Sequence, residues 1–594
     1  MTFPFRKMMS RMSKRILRRS SLRVICCVTK RDSSTSAKLT SSYYHNVSSV
    51  PLIHKTLGQV FDETAKKYPE HECFVFKGER KRYTYKSFQD EVDSIAASLL
   101  ELGLEKSDRI AVWLPNTSEN VTMSFVASKL GLIKVNINPA YVERELEYCL
   151  NKVGCKALVL APTVKSIQSL AILRQLLPEL DQSSSFKRVP SLEHIILTGK
   201  SSSTVPKSTH SYEHLLKHGA KISHSKLQLY QSTIDPHAPL AIFYTSGTTG
   251  QPKAATLTNF NMINMSQNIS HHVGKHFTRL CAPIPMFHIF SEAVGVCNPL
   301  VAKCQTVFPA ILPNPVATMR AIDEEKCTAL IGAPVIFRDI LNHVDRKKYN
   351  LSSLEYSALG ASPVHVDFLR QLEQEIPIQR VGQVYGMTEN CAILSSSMWA
   401  ADGDTRRYSS IGRAMQHIEM KVVDQQGNPV PIGESGEVWA RGFPIMSGYY
   451  NDTDKTRETV TESGWLRTGD EGRMDEDGFL YFIGRQKDII IRGGVNIYPI
   501  EIEKAIMEHP SVAEAQVFSI PDVRHDEEIC AWIKLKSDAA RCQPEDMVKF
   551  LSTKLAFFKI PKHIRFVDKF IVTATGKAQK FKMTQSMIDE LNQK

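Results

Sequence analysis

Residues 243–255, FYTSGTTGQPKAA, gather Thr245, Ser246, Thr248 and Thr249 around Gly247 and Gly250, with Gln251 and Pro252 ahead of Lys253. Such a span has the chemistry to hold a phosphate. Glycine lets backbone N–H groups converge on an anion, the hydroxyls add donors, and the lysine adds charge. A plain Ser/Thr turn uses the same residue types, so the stretch alone leaves both readings open. It is not a P-loop: that motif needs a lysine directly after its last glycine and a hydroxyl directly after the lysine. Here Gln251 and Pro252 intervene, Ala254 follows, and Pro252 would break the helix a P-loop must start.

Other clusters carry chemistry of their own. VYGMTEN at 384–390 offers an aromatic plate at Tyr385, a hydroxyl at Thr388 and a carboxylate at Glu389, or else an ordinary Tyr-Gly turn. In WLRTGDEGR at 465–473, Asp470 follows Gly469, where a carboxylate can accept both hydroxyls of a ribose or merely close the turn. GRQKDIIIRGGVNIYP at 484–499 brings Arg485 and Lys487, and TATGKAQK at 573–580 presents Lys577 after Gly576.

The elements that must position these residues follow from periodicity. PLAIFY at 239–244 reads as a short buried strand leading into the hydroxyl-rich loop. From about residue 51 to 400, short apolar strands alternate with helical patterns, which indicates α/β layers around mostly parallel sheets. Residues 200–235 are polar and read as a looser connection. Around 410–485, GEVWARG, SGYY, GWLRTGD and GRMDEDGFLYFIGR read as short strands between Gly and Asp turns, with DEDG at 475–478 as a hairpin signal. From 487 the pattern is that of a compact α+β module.

Charge is informative only once it is located. The net charge is +12, but residues 1–31 contain ten Lys/Arg and no acid, leaving +2 for the rest. A basic face for nucleic acid is therefore not indicated. The leader mixes Arg, Ser and apolar residues without acids, the composition of a mitochondrial transit peptide. Twelve scattered cysteines without a C-x-x-C pair fit a reducing compartment rather than a disulfide framework or zinc ribbon. No run of 18 apolar residues occurs, so no transmembrane segment is expected.

In order and spacing, YTSGTTGQPK, YGMTE, RTGD, GRQKDIIIRGGVNIYPIEIE and the terminal GK resemble the core motifs of the adenylate-forming acyl-CoA synthetase superfamily, over roughly residues 52–588. The leader and the GKAQKFKM tail are similar to its mitochondrial medium-chain acyl-CoA ligase branch. The resemblance implies an α/β fold: a multi-subdomain N-terminal AMP-binding region with a β-rich end (51–486), and a small mobile α+β lid (487–594). Residues 1–50 would be transit peptide and linker, directing the chain to the mitochondrial matrix.

It also implies ATP, Mg2+ and CoA as cofactor and co-substrates, and a fatty acid, ATP and CoA as small-molecule partners. Residues 245–253, from Thr245 through Lys253 with Thr249 counted among the catalytic groups, would wrap the ATP phosphates. Glu389 would ligate Mg2+. Tyr385 would stack on adenine, with Thr388 beside it and Gly360 and Ala361 (in ALGASP) giving the purine a flat backbone surface. Asp470 would take the ribose, with Arg485 beside it. His288, in PMFHIF, would gate the acyl and CoA tunnels, and Lys487 would be the hinge. Lys577 would bridge the carboxylate and the α-phosphate, where a fixed cation counters charge developing in the transition state.

Two residues depart from the family pattern: Ala578, where an apolar β-branched residue is usual, and Asp526 in RHDEEIC, where relatives often carry Gly. Asp tolerates a left-handed backbone better than most residues, if that position needs one. The expected reaction is fatty acid, ATP and CoA to acyl-CoA, AMP and diphosphate through acyl-AMP. The alternatives are delivery of the acyl group to a separate carrier protein, a luciferase-like oxygenase, and a non-catalytic relative that only binds ligand.

Overall fold

Helix starts are written locally. Thr56 caps Leu57–Lys67 through a reciprocal box with Gln59, Thr84 does the same for Tyr85–Glu101 with Ser87, and Thr258 for Asn259–Val273 with Asn261. These helices cover sheets of near-continuous apolar strands, as two-sided burial demands. The computed structural model describes residues 38–199, 205–222, 225–245, 252–362, 364–401, 403–492, 495–522, 525–537, 542–573 and 576–592. The leader expected at 1–31 lies outside them.

The large region holds three sheets. In the first, Pro239–Thr245, Ile133–Asn136, Arg109–Trp113, Ala157–Leu160, His194–Leu197 and Thr209–Ser211 run parallel, while Lys253–Thr258 and Gly448–Tyr449 extend one edge antiparallel. In the second, the neighbouring strands Arg380–Tyr385, Tyr356–Leu359, Ala329–Gly332, Arg279–Cys281, Gln305–Phe308 and Glu72–Phe76 are parallel. The third is antiparallel throughout: Tyr43–His45, Ile418–Val423, Ser435–Gly442, Leu466–Met474 and Leu480–Arg485. A single-turn helix, Gln486–Asp488, leads into the lid, where helices Pro499–Met507, Pro544–Ser552 and Lys580–Asn592 accompany a mainly antiparallel sheet. The α/β architecture with a smaller α+β lid stands as expected.

Three details differ from the sequence reading. Much of the stretch read as loose is regular: Thr209–Ser211 is a strand, and Tyr212–Gly219 and Ser225–Gln231 are helices, with Tyr212, Leu215 and Leu227 buried among otherwise polar neighbours. SGYY does not join the β-rich sheet; Gly448–Tyr449 pairs with Lys253–Thr258 in the first sheet. Residues 39–50 are not all linker. The Leu39 amide donates to the Glu476 carbonyl, Tyr43–His45 pairs with Ile418–Val423, and the Tyr44 ring lies where a side chain on Gly478 would have to go. The DEDG hairpin is present, with Gly478 at φ 82°.

Candidate functional site

In parallel α/β sheets, ligands sit outside the carboxyl ends of the strands. Gly332, Leu359 and Tyr385 end three neighbouring strands of the second sheet, and His288 follows the next one, Arg279–Cys281. Gly360, just past Leu359, is a forced glycine: a Cβ there would lie 2.8 Å from Val384 Cγ2 and 3.0 Å from the Val384 carbonyl oxygen. Ala361 then takes φ 73°, a costly conformation for a side-chain-bearing residue and one that clusters at ligand sites. The two residues form a bare backbone ledge beside Tyr385, suited to a flat ring.

Tyr385 and Asp470 come from different sheets and meet. The Tyr385 hydroxyl donates to Asp470 Oδ2 at 2.8 Å, and Arg485, the register partner of Asp470, places Nε 3.1 Å from Oδ1. Asp470 is 2% exposed, and burial raises its carboxyl above the usual carboxylate value against the pull of Arg485, the Tyr385 hydroxyl and Lys577. Its Oδ1 is nonetheless without a hydrogen-bond donor among the described residues, because the nearby Arg485 N–H is not aimed at it. A buried acceptor left open beside an aromatic ring fits a ribose hydroxyl.

Thr245 and Lys253 are register partners where Pro239–Thr245 and Lys253–Thr258 begin to pair, so the segment between them connects two antiparallel strands. This arrangement explains why the P-loop pattern failed: a strand follows, not a helix. Ser246, Gly247, Thr248, Thr249, Gly250 and Gln251 lie outside the described residues. The Pro252 carbonyl accepts from the Tyr148 hydroxyl at 2.9 Å, and Thr245 Oγ1 is buried without a partner among the described residues.

Glu389 sits in the single turn Thr388–Asn390, which follows Tyr385 so tightly that a Cβ on Gly386 would lie 2.2 Å from the Ala392 carbonyl oxygen. Thr388 begins this turn, and its carbonyl accepts from the Cys391 amide. The Glu389 carboxylate is 5% exposed, and its Oε1 accepts from the Tyr449 hydroxyl at 2.8 Å. That hydroxyl in turn accepts from Lys253 Nζ at 2.8 Å. A buried carboxylate joined to Lys253 through one hydroxyl is a donor set that fits Mg2+, which favours one or two carboxylates together with substrate phosphates.

The lid brings Lys577 to this cleft. The turn 573–577 is closed by the Thr573 amide donating to the Lys577 carbonyl and by the Lys577 amide donating to Thr573 Oγ1. Gly576 has φ 80°, and a Cβ on it would come within 3.0 Å of Val335 in the large region, so glycine also permits the close approach of lid to body. Burial, then Arg485 and Lys487, lower the Lys577 ammonium to about 8, with Asp470 and Asp488 opposing. Lys487, in the connecting turn, is lowered by burial first, then by Arg485 and Lys253, with Asp488 and Asp470 opposing.

Burial and the neighbouring Lys577 hold His288 down to about 4, and its Nδ1 accepts from the Phe290 amide at 3.3 Å. His288 is therefore a neutral ring at the cleft wall. Two polar contacts pin the lid in this pose: Tyr498 Oη to Glu471 Oε1 at 2.7 Å and Arg338 Nη1 to Glu514 Oε2 at 2.9 Å.

The structure thus gathers Tyr385, Asp470, Arg485, Lys487, Lys577 and His288 at one cleft and ties Lys253 to Glu389. Sequence reasoning missed Tyr449, which it read only as strand; the available signal was an aromatic pair after glycine in SGYY. It also missed the lid contacts, which join residues from distant elements. Asp526 has φ 67°, so the left-handed backbone considered for that position is real. Ala578 forms a bridge with Val572 and packs at the edge of the lid core, where it is accommodated.

Residues 61–450 match the family described as AMP-binding enzyme, and residues 501–577 match the AMP-binding enzyme C-terminal domain. The mitochondrial medium-chain acyl-CoA ligase ACSF2 of Danio rerio is 36% identical over 555 residues, covering 92% of this chain and 91% of its own. YngI of Bacillus subtilis (strain 168), named provisionally as an acyl-CoA synthetase, is 34% identical over 91% of this chain and 98% of its own. Among solved structures, the anthranilate CoA ligase AuaEII, in complex with anthranoyl-AMP, shares the fold with a TM-score of 0.79 at 23% identity, over 91% of this chain and 99% of that one. The chain belongs to the AMP-binding enzyme family, the adenylate-forming group with acyl-CoA ligases among its members.

Proposed function

We propose that the protein is an ATP-dependent acyl-CoA synthetase that activates a fatty acid of medium chain length. The observation that carries this reading is Lys577, held by the lid in the same cleft as Asp470, Arg485 and His288. Attack of a carboxylate on ATP brings anion against anion, and a preorganised cation offsets the charge that builds at the α-phosphate. In the first half-reaction, a carboxylate oxygen bonds to the α-phosphorus and the bond to the β-phosphate bridging oxygen breaks, giving acyl-AMP and diphosphate. In the second, the CoA thiolate adds to the acyl carbonyl and AMP departs.

Tyr385 and the Gly360–Ala361 ledge would hold adenine, Asp470 the ribose, and Lys253 with the preceding loop the phosphates. Glu389 would hold Mg2+, which neutralises the triphosphate when bound. The neutral His288 suits the wall of an acyl path, since an alkyl chain packed against an unpaired charge would strip it of water at a large cost. The lid, turning at Lys487, would present Lys577 for adenylation and then rotate for CoA.

The medium-chain preference and mitochondrial address rest on the ACSF2 relative and the acid-free leader. A pyrophosphate-release screen across acyl chain lengths, with and without CoA, tests the function. Release with medium-chain acids, and acyl-CoA formation when CoA is added, is expected. Absence of release with every carboxylate would overturn it. A reporter fused to residues 1–50 should enter mitochondria; one that stays cytosolic removes the address.

A further inference from the structure

Tyr449 lies where the phosphate-binding and metal-binding halves of the site touch, and nothing in the reaction outlined above uses it. Its placement is over-determined. Tyr449 pairs with Ala255, two residues beyond Lys253, and the Tyr450 amide donates to the Ala254 carbonyl. Three residues earlier, the Met446 amide donates to the backbone carbonyl of Glu389 at 2.9 Å. Gly448 takes φ 138° and has no room for a side chain, since a Cβ would lie 2.8 Å from Thr456 Cγ2, while Thr456 Oγ1 accepts from the Tyr449 amide at 2.9 Å.

The short strand is therefore stitched to the Lys253 strand, the Glu389 turn and the following helix at once. The ring that results is 5% exposed. Its hydroxyl is a junction: it donates to Glu389 Oε1 and accepts from Lys253 Nζ, each at 2.8 Å, and the ammonium also sits 4.4 Å from the ring centroid. An ammonium can only donate and a carboxylate only accept, so the phenolic hydrogen lies on the Glu389 side.

We propose that Tyr449 is a positioning residue of the nucleotide site, aligning the metal-binding carboxylate of Glu389 with the phosphate-binding ammonium of Lys253 through one phenolic hydroxyl. The inference rests on the proposed roles of Glu389 and Lys253. A carboxylate and an ammonium this close would otherwise be free to collapse into a direct ion pair, which would withdraw both from MgATP. Interposing a neutral hydroxyl keeps them apart and fixes the direction of each.

Tyr449→Phe keeps the ring and removes only the hydroxyl. The full chain is titrated calorimetrically with α,β-methylene-ATP over a series of Mg2+ concentrations, a readout independent of turnover, and then assayed for diphosphate release. The Mg2+ concentration for half-maximal binding should rise about tenfold, the size of one lost hydrogen bond to a charged group, and excess Mg2+ should restore much of the affinity. Lys253→Met leaves the phenol but removes its donor, and it should raise the Mg2+ requirement as well. It carries the test if the phenylalanine variant does not fold.

Glu389→Gln separates the two readings. If it loses the Mg2+ dependence while Tyr449→Phe and Lys253→Met keep the wild-type dependence, the positioning role falls and the nucleotide site stands. Equal weakening by Tyr449→Phe at every Mg2+ concentration marks a packing role and also overturns the proposal. If Glu389→Gln itself binds with wild-type Mg2+ dependence, the assignment of the metal site fails.

Discussion

Raising the pH should disable the first half-reaction and spare the second. In the closed pose Lys577 titrates at about 8 instead of 10.5, burial being the largest cause and Arg485 and Lys487 the next. The sign is that of a cation whose pKa is depressed: the charge is present below about 8 and lost as pH rises through it. From that value, about nine-tenths of Lys577 is charged at pH 7 and just under one-tenth at pH 9, so kcat/KM for adenylate formation should fall roughly tenfold. The same shift means that keeping Lys577 charged in this cleft without ligand costs at most about 3–4 kcal/mol, an upper bound because Lys577 keeps some contact with water.

Anionic substrates offset that cost, and so the limb in kcat should lie at higher pH than the limb in kcat/KM. The assay is diphosphate release at subsaturating ATP from pH 6.5 to 9.5, run beside acyl-CoA formation from preformed acyl-AMP. Lys577→Arg, which stays charged, should lack the limb whatever its absolute rate. A flat adenylation profile in the native protein, or an unchanged limb in Lys577→Arg, would refute the reasoning.

Lys577→Ala should lower adenylate formation a hundredfold or more, about 2.7 kcal/mol, yet make acyl-CoA from acyl-AMP at a near-normal rate; Lys487→Pro should do the reverse, read by the same two assays. Asp470→Asn should raise the KM for ATP by about tenfold or more, because the buried acceptor offered to the ribose is weakened and Arg485 loses its partner, as steady-state kinetics will report. Removing residues 1–46 should destabilise the β-rich sheet where removing 1–37 does not, measured as a lower thermal midpoint.

The parts of the site that were legible in the sequence are those whose chemistry is local. Gly576 before Lys577 signalled a cation on a tight turn, and the structure adds that the glycine must also clear Val335. The Gly469–Asp470 step likewise announced itself by residue type, and the structure buries that carboxyl beside Tyr385. Long-range arrangements were not legible. Tyr449 reaches Lys253 across 196 positions of sequence and Glu389 across 60, and a tyrosine in a short strand carries no mark of either. The helices at 212–231 were hidden because their few buried residues stand among many polar ones, and Tyr43–His45 was hidden in a Ser-rich stretch whose pairing partner is far along the chain.

That last pairing has a consequence for the order in which the protein assembles. A chain that emerges N-terminus first carries Tyr43–His45 with no partner until Ile418–Val423 has been made. The sheet that presents Asp470 and Arg485 is then completed only when Leu480–Arg485 follows. Closure of so long a loop is slow, and an unpaired strand can meanwhile pair with another chain. The cleft where Tyr385, Asp470 and Lys577 meet is thus finished late, after the two parallel cores have had most of their sequence available, and an early stop would yield a body with cores but without the Asp470–Arg485 pair.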